Sequence, residues 1–217
     1  MCEWRQASVH RKILKELKKE YPVLFSHLLE NEKIVFLLMK QEPVKEPPPE
    51  MMSRMEKIEI LLNKAGYRIR FESMNKIDPQ LLIKELELSY TKVVDIYLTC
   101  RNNPRAVNVH EFRKEAKDFL YQLYFFKPLN IPVVKALEKK LDVMTQNLGR
   151  VNDYSQLIKA LGYKYPGKTN IPAMDELIIR IREKQDRYFA KVWPTAYKIF
   201  CPGQKLVNIL GFKLLII

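Results

Sequence analysis

The sequence predicts an all-α protein, folded as two pseudo-symmetric antiparallel helical bundles from a degenerate internal repeat. Three observations carry this expectation. Apolar residues recur at helical spacing along most of the 217 residues, and no run alternates as a half-buried strand does. Prolines and loop-forming residues cut the pattern into long pieces. His27 also precedes Gly66 by the same 39 residues that separate His110 from Gly149. With His27 laid on His110, Glu32, Phe36 and Leu37 fall on Glu115, Phe119 and Leu120 without a gap.

The pattern fits helices over 6–20, 26–42, 50–75, 79–102, 108–127, 132–161 and 172–200. Tyr21-Pro22 separates the first two, and the PVKEPPP run at 43–49 reads as a linker before the third. Asp78-Pro79, Asn103-Pro104, Lys127-Pro128 and Tyr165-Pro166-Gly167 mark the remaining boundaries. In the first helix, HRKILKELKKEY at 10–21 turns Ile13, Leu14 and Leu17 toward a core and leaves its lysines on a solvated face. The repeat divides the chain into 1–104, a degenerate first copy, and 105–217, a second copy, together forming one domain. At the far end LVNILGFKLLII is apolar, but its twelve residues fall short of the about 20 that a membrane helix needs. It reads as a packing tail, so a membrane partner is not expected.

Lys and Arg number 38 against 25 acidic residues, a net charge of +13. Such a surplus favours polyanionic partners without choosing among nucleic acid, acidic membrane and phosphate polymer. Cys2, Cys100 and Cys201 form no CxxC pair, so neither a zinc site nor a disulfide framework is readable, and a reducing cytoplasm is the expected location. The start, MCEWRQASVHRK, has no apolar signal core. No GxSxG, P-loop, HExxH or dinucleotide glycine pattern occurs, so the reading is a non-enzyme without metal or cofactor.

The chemistry concentrates in one predicted helix. VHEFRKEAKDFLYQLYFFKP places His110, Arg113, Lys114 and Lys117 at spacings of three, four and seven, which puts all four on one side. A separate stripe of Val109, Phe112, Ala116, Phe119 and Leu123 anchors the helix. Asn108 is expected to cap it with Glu111 completing a capping box, leaving His110 in the first turn where the helix dipole favours an anion. Arg can grip phosphate oxygens with two donors, whereas Lys acts as a point charge. Lys139, Lys140 and Arg150 are further candidate cations on the following helix. Gly149 interrupts that helix at a cost of about 1 kcal/mol relative to Ala, which close approach of another element would explain. Asn152 and Asp153 are assigned to fixing helix ends or orienting basic side chains. The first copy carries Glu30, Asn31 and Ile34 where the second has Arg113, Lys114 and Lys117, so the site is expected in the second half.

VHEFRKEAKDFLYQLYFF followed by LEKKLDVMTQNLGRVNDYSQL resembles the second repeat of the CHAD family, the conserved histidine α-helical domain. His110 and Arg113 match its His-x-x-Arg helix, and Leu148, Gly149, Asn152 and Asp153 match its Leu-Gly-x-x-Asn/Arg-Asp signature. The resemblance covers 109–161, extends over 172–200 and is slight over 1–104. It implies two four-helix bundles about a pseudo-twofold axis and a basic channel that binds inorganic polyphosphate without catalysis. His110, Arg113 and Lys117 then match phosphate-facing positions, Lys114 lies beside them, and His27 is the possible first-repeat counterpart. Where the family often continues with basic residues, this chain has Asp118 and Leu120, while Tyr121 keeps the usual aromatic. Two alternatives stay open: a nucleic-acid-binding helical protein, for which no reading motif is present, and a degenerate fold kept as a protein-interaction scaffold.

Overall fold

Proline and glycine set the limits of the helices. The computed structural model describes residues 2–28, 49–72, 78–126, 131–162 and 172–210. These hold α1 (Cys2–Glu20), α2 (Pro22–Leu28), α3 (Pro49–Glu72), α4 (Pro79–Asn102), α5 (Ala106–Phe126), α6 (Ile131–Ala160), α7 (Pro172–Phe200) and α8 (Leu206–Leu210), with no strand among the described residues. The all-α expectation holds. Pro22, Pro49, Pro79 and Pro172 each occupy a first helical position, where a missing N–H costs nothing. Asp78 caps α4, its Oδ1 accepting from the Gln80 amide at 2.9 Å. Gly162, at φ 77°, closes α6 in the left-handed conformation, its amide donating to the Lys159 carbonyl at 3.0 Å. The second helix starts at Pro22 rather than 26, and its expected continuation to 42 lies outside the described residues, as do Glu32, Phe36 and Leu37 of the repeat.

The chain forms two compact units, Lys40–Glu85 and the remainder, Met1–Met39 with Leu86–Ile217. The first of these holds α3 and the start of α4.

In the larger unit, ring contacts and one hydrogen bond set α4 antiparallel to both α5 and α7. Tyr90 and Tyr97 of α4 meet Phe119 and Phe112 of α5, each pair at 5.7 Å between centroids. Tyr97 also meets Trp193 of α7 at 6.3 Å, and Tyr90 donates its hydroxyl to the Ile199 carbonyl at 2.8 Å. Helices α5 and α6 pack side by side, as do α6 and α7. Helices α4, α5 and α7 thus meet at Phe200, which is fully buried and touches Tyr90, Tyr97, Phe112 and Phe119 at 5.9–6.3 Å, with α6 packed against α5 and α7 as the fourth helix. The stripe Val109, Phe112, Ala116, Phe119 and Leu123 is buried as its spacing predicts.

At about 1.5 Å per residue, α6 and α7 are each roughly 45 Å long and outrun α5. Their far ends pack against α1 and α2 instead. Ile13, Leu14 and Leu17 of α1 and Leu24, Phe25 and Leu28 of α2 join Tyr154, Leu157, Leu161, Met174, Leu177, Ile178 and Ile181 in a second apolar cluster. Burial pushes the Tyr154 hydroxyl up to about 12. Two cores therefore share one long helical hairpin, and α1 and α5 approach each other along the flank of α6.

Candidate functional site

A groove of about 690 Å³ lies where α1, α5 and α6 meet. Gln6, Val9 and His10 of α1 form one wall, and Ala106, Val107, His110 and Arg113 of α5 form another. Its floor is α6, from Gly149 through Asn152, Asp153, Ser155 and Gln156 to Lys159. The formal charges on its walls are Arg113, Lys159 and Asp153, with two imidazoles between them.

Arg113 is the most constrained of these side chains. Its Nε donates to the Thr145 carbonyl at 3.2 Å across to α6. A Cβ on Gly149 would stand 3.2 Å from that Nε and 3.6 Å from Nη2. The glycine is thus a bed for a guanidinium rather than a contact between helix backbones, and this is the close approach its cost called for. Thr145 is itself buried, its hydroxyl donating to the Asp142 carbonyl at 3.1 Å. From behind the floor, Gln185 of α7 donates to the Val151 carbonyl at 3.1 Å and to Ser155 Oγ at 2.8 Å, tying α6 to its neighbour.

His10 is the residue that spacing left out. It is only 6% exposed, and burial lowers its pKa below the usual imidazole value while the charge of Asp153 opposes that shift. Its signal was present in the sequence. His10 stands three, four and seven residues before Ile13, Leu14 and Leu17, so it shares the buried stripe of α1 and not the solvated lysine face. His27 is elsewhere, on the rim of a concavity of about 750 Å³ with Glu20, Tyr21, Pro172, Ala173 and Glu176.

The remaining candidates are distributed around the groove. Lys117 is half-buried one turn beyond Arg113. Lys114 turns to the other flank of α5, its ammonium 3.4 Å from Glu115 Oε1. Glu115 is buried, and its Oε2 lies 2.9 Å from Lys92 Nζ of α4. The Lys92 hydrogen bond holds its carboxyl below the usual range. Lys139 and Lys140 are exposed on α6, and Arg150 is half-buried near Tyr154. None of Lys114, Lys117, Lys139, Lys140 and Arg150 lines the groove described above.

Two local expectations are corrected. Helix α5 begins at Ala106, two residues before the expected start, and Asn108 sends its side-chain amide back to the Asn103 carbonyl at 2.7 Å. Asn108 therefore ties the α4–α5 turn instead of capping α5, and His110 follows the first turn. Asn152 and Asp153 sit well inside α6, which runs on to Ala160, so they fix no helix end. Among the described residues no group of three or more His, Cys, Asp or Glu could hold a metal ion. No described helix is long and apolar enough to cross a membrane.

The CHAD domain model matches residues 49–162, more than half of the chain. The match opens at the first residue of α3, upstream of the 109–161 stretch that carries the sequence resemblance, and ends before 172–200. It takes in His110, Arg113, Lys117 and Gly149 and leaves out His10. No curated protein and no solved structure matches the chain.

Proposed function

This chain belongs to the CHAD family, and on that premise we propose that its groove binds inorganic polyphosphate or a similar linear polyanion without catalysis. The observation that carries the reading is Arg113. A guanidinium laid on a glycine and fixed by a backbone carbonyl is held ready for an anion, beside His110 in an open groove. His10 and Lys159 contribute from the other walls, and Lys117 extends the cations along α5. The net charge of +13 draws a polyanion toward the surface. Free Cys100 and Cys201 fit a reducing cytoplasm.

Binding works by exchanging the polymer's condensed counterions for these fixed cations. Affinity therefore falls with salt, by analogy with single-stranded nucleic acid at about 0.7 log units per phosphate contact per decade of salt. The test is calorimetric titration with long-chain polyphosphate at low and physiological salt. Saturable binding is expected, and Arg113→Ala with Lys117→Ala should weaken it at least tenfold while leaving the fold intact. Lys114→Ala, which removes a lysine already turned to Glu115, should change it less than threefold. An unaltered affinity in the double variant rules out the groove. No binding at low salt removes the reading and leaves the scaffold role.

A further inference from the structure

The cationic face of α5 does not end in solvent-facing charge. Continuing the spacing from His110, Arg113 and Lys117 by four and three residues reaches Tyr121 and Tyr124 on the same side of the helix. Both rings stand out from the surface, 52% and 44% exposed, and they stack on each other at 6.3 Å between centroids with 29° between planes. Phe125 beside them is 71% exposed. The core of α5 is already filled by Phe112, Phe119, Leu123 and Phe126, so packing does not require these three rings.

We propose that Tyr121 and Tyr124 form a stacking pad for nucleobases, so that α5 takes a single strand of nucleic acid with its phosphates on Arg113 and Lys117. The proposal rests on the anion-binding reading of that row and adds to it. Inorganic polyphosphate has no ring and gains nothing from an aromatic surface. A nucleobase has two π faces, and stacking on an aromatic side chain is worth roughly five- to a hundredfold in affinity per base. Arg113 and Tyr121 are about 12 Å apart along the axis at the helical rise, close to two nucleotide steps of an extended strand. A duplex keeps its bases stacked inside and cannot use the pad. Glu115 is buried against Lys92, so the exposed acid between Arg113 and Phe125 is Asp118, the chief charge opposing the strand on this stretch.

The test measures binding of a labelled oligothymidylate of about ten nucleotides, an abasic oligomer of the same length, and polyphosphate as competitor. The oligothymidylate should bind at least fivefold tighter than the abasic strand. Tyr121→Ala with Tyr124→Ala should abolish that preference and leave polyphosphate affinity within twofold. Tyr121→Phe with Tyr124→Phe should keep it, because the rings remain. Equal binding of the two oligomers, or a preference that survives the alanine pair, overturns the proposal while polyphosphate binding continues to support the groove. A base preference lost in the alanine pair, with no polyphosphate competition, supports the pad and refutes the polyphosphate reading alone.

Discussion

Arg113 covers Gly149, with its Nε 3.2 Å from the position a Cβ would take. The contact is with a movable side chain and not with backbone, so alanine fits once the guanidinium gives way. Gly149→Ala should therefore separate stability from binding. The helix gains up to about 1 kcal/mol from the better helix former, while polyphosphate affinity falls several-fold as Arg113 leaves Thr145. Denaturant unfolding and calorimetry on the same preparation check both signs. Lower stability together with unchanged affinity would show that the glycine serves the backbone alone.

His10 should make the protein less stable and more retentive as the solution becomes acidic. Burial holds its folded pKa below the ordinary 6.5, so the unfolded chain binds the proton more readily. Stability is complete above about 6.5 and is lost as pH falls through that value toward the folded one. A bound polyanion reverses the preference by favouring the imidazolium, as Asp153 already does, while the cations Arg113 and Lys159 oppose it. Wild type should lose more thermal stability than His10→Gln between pH 7.5 and 5.5, yet gain more affinity. Parallel profiles for the two proteins would remove His10 from the site.

Phe200 is the centre of the four-helix core. Phe200→Ala leaves a cavity among four aromatic rings and should cost about 3–5 kcal/mol, a large share of a typical domain's stability. Phe200→Leu should cost clearly less. Equilibrium denaturation measures both, and a loss below about 1 kcal/mol for alanine would mean the neighbouring rings close the gap.

The sequence made the periodic features legible and left the junctions obscure. Phe112, Ala116 and Phe119 mark the buried side of α5 directly, because helical spacing and burial are one statement for an amphipathic helix. The same arithmetic set His110 and Arg113 on the groove face. It placed Lys114 with them too, since spacing does not show that buried Glu115 draws that lysine to the other flank. His27 was reached by counting along a repeat, which takes no account of which stripe a residue occupies. His10 was concealed by its lysine-rich surroundings, although its own position belonged to the apolar stripe. Asn108 looked like a cap because the turn it closes depends on where Asn103 lies in space. The guanidinium on Gly149 joins residues on two helices, and only the packed pair of α5 and α6 brings them together.

The buried carboxylate of Glu115 has one more effect. It grips Lys92 of α4 on one flank of α5, while Arg113 grips the Thr145 carbonyl of α6 on the other. Held from both sides, α5 resists rolling about its own axis, so the direction its open face presents is set by the fold. On the proposed reading, a polyanion would meet cations already facing one way, so little reorganisation of the helix would be charged against its binding.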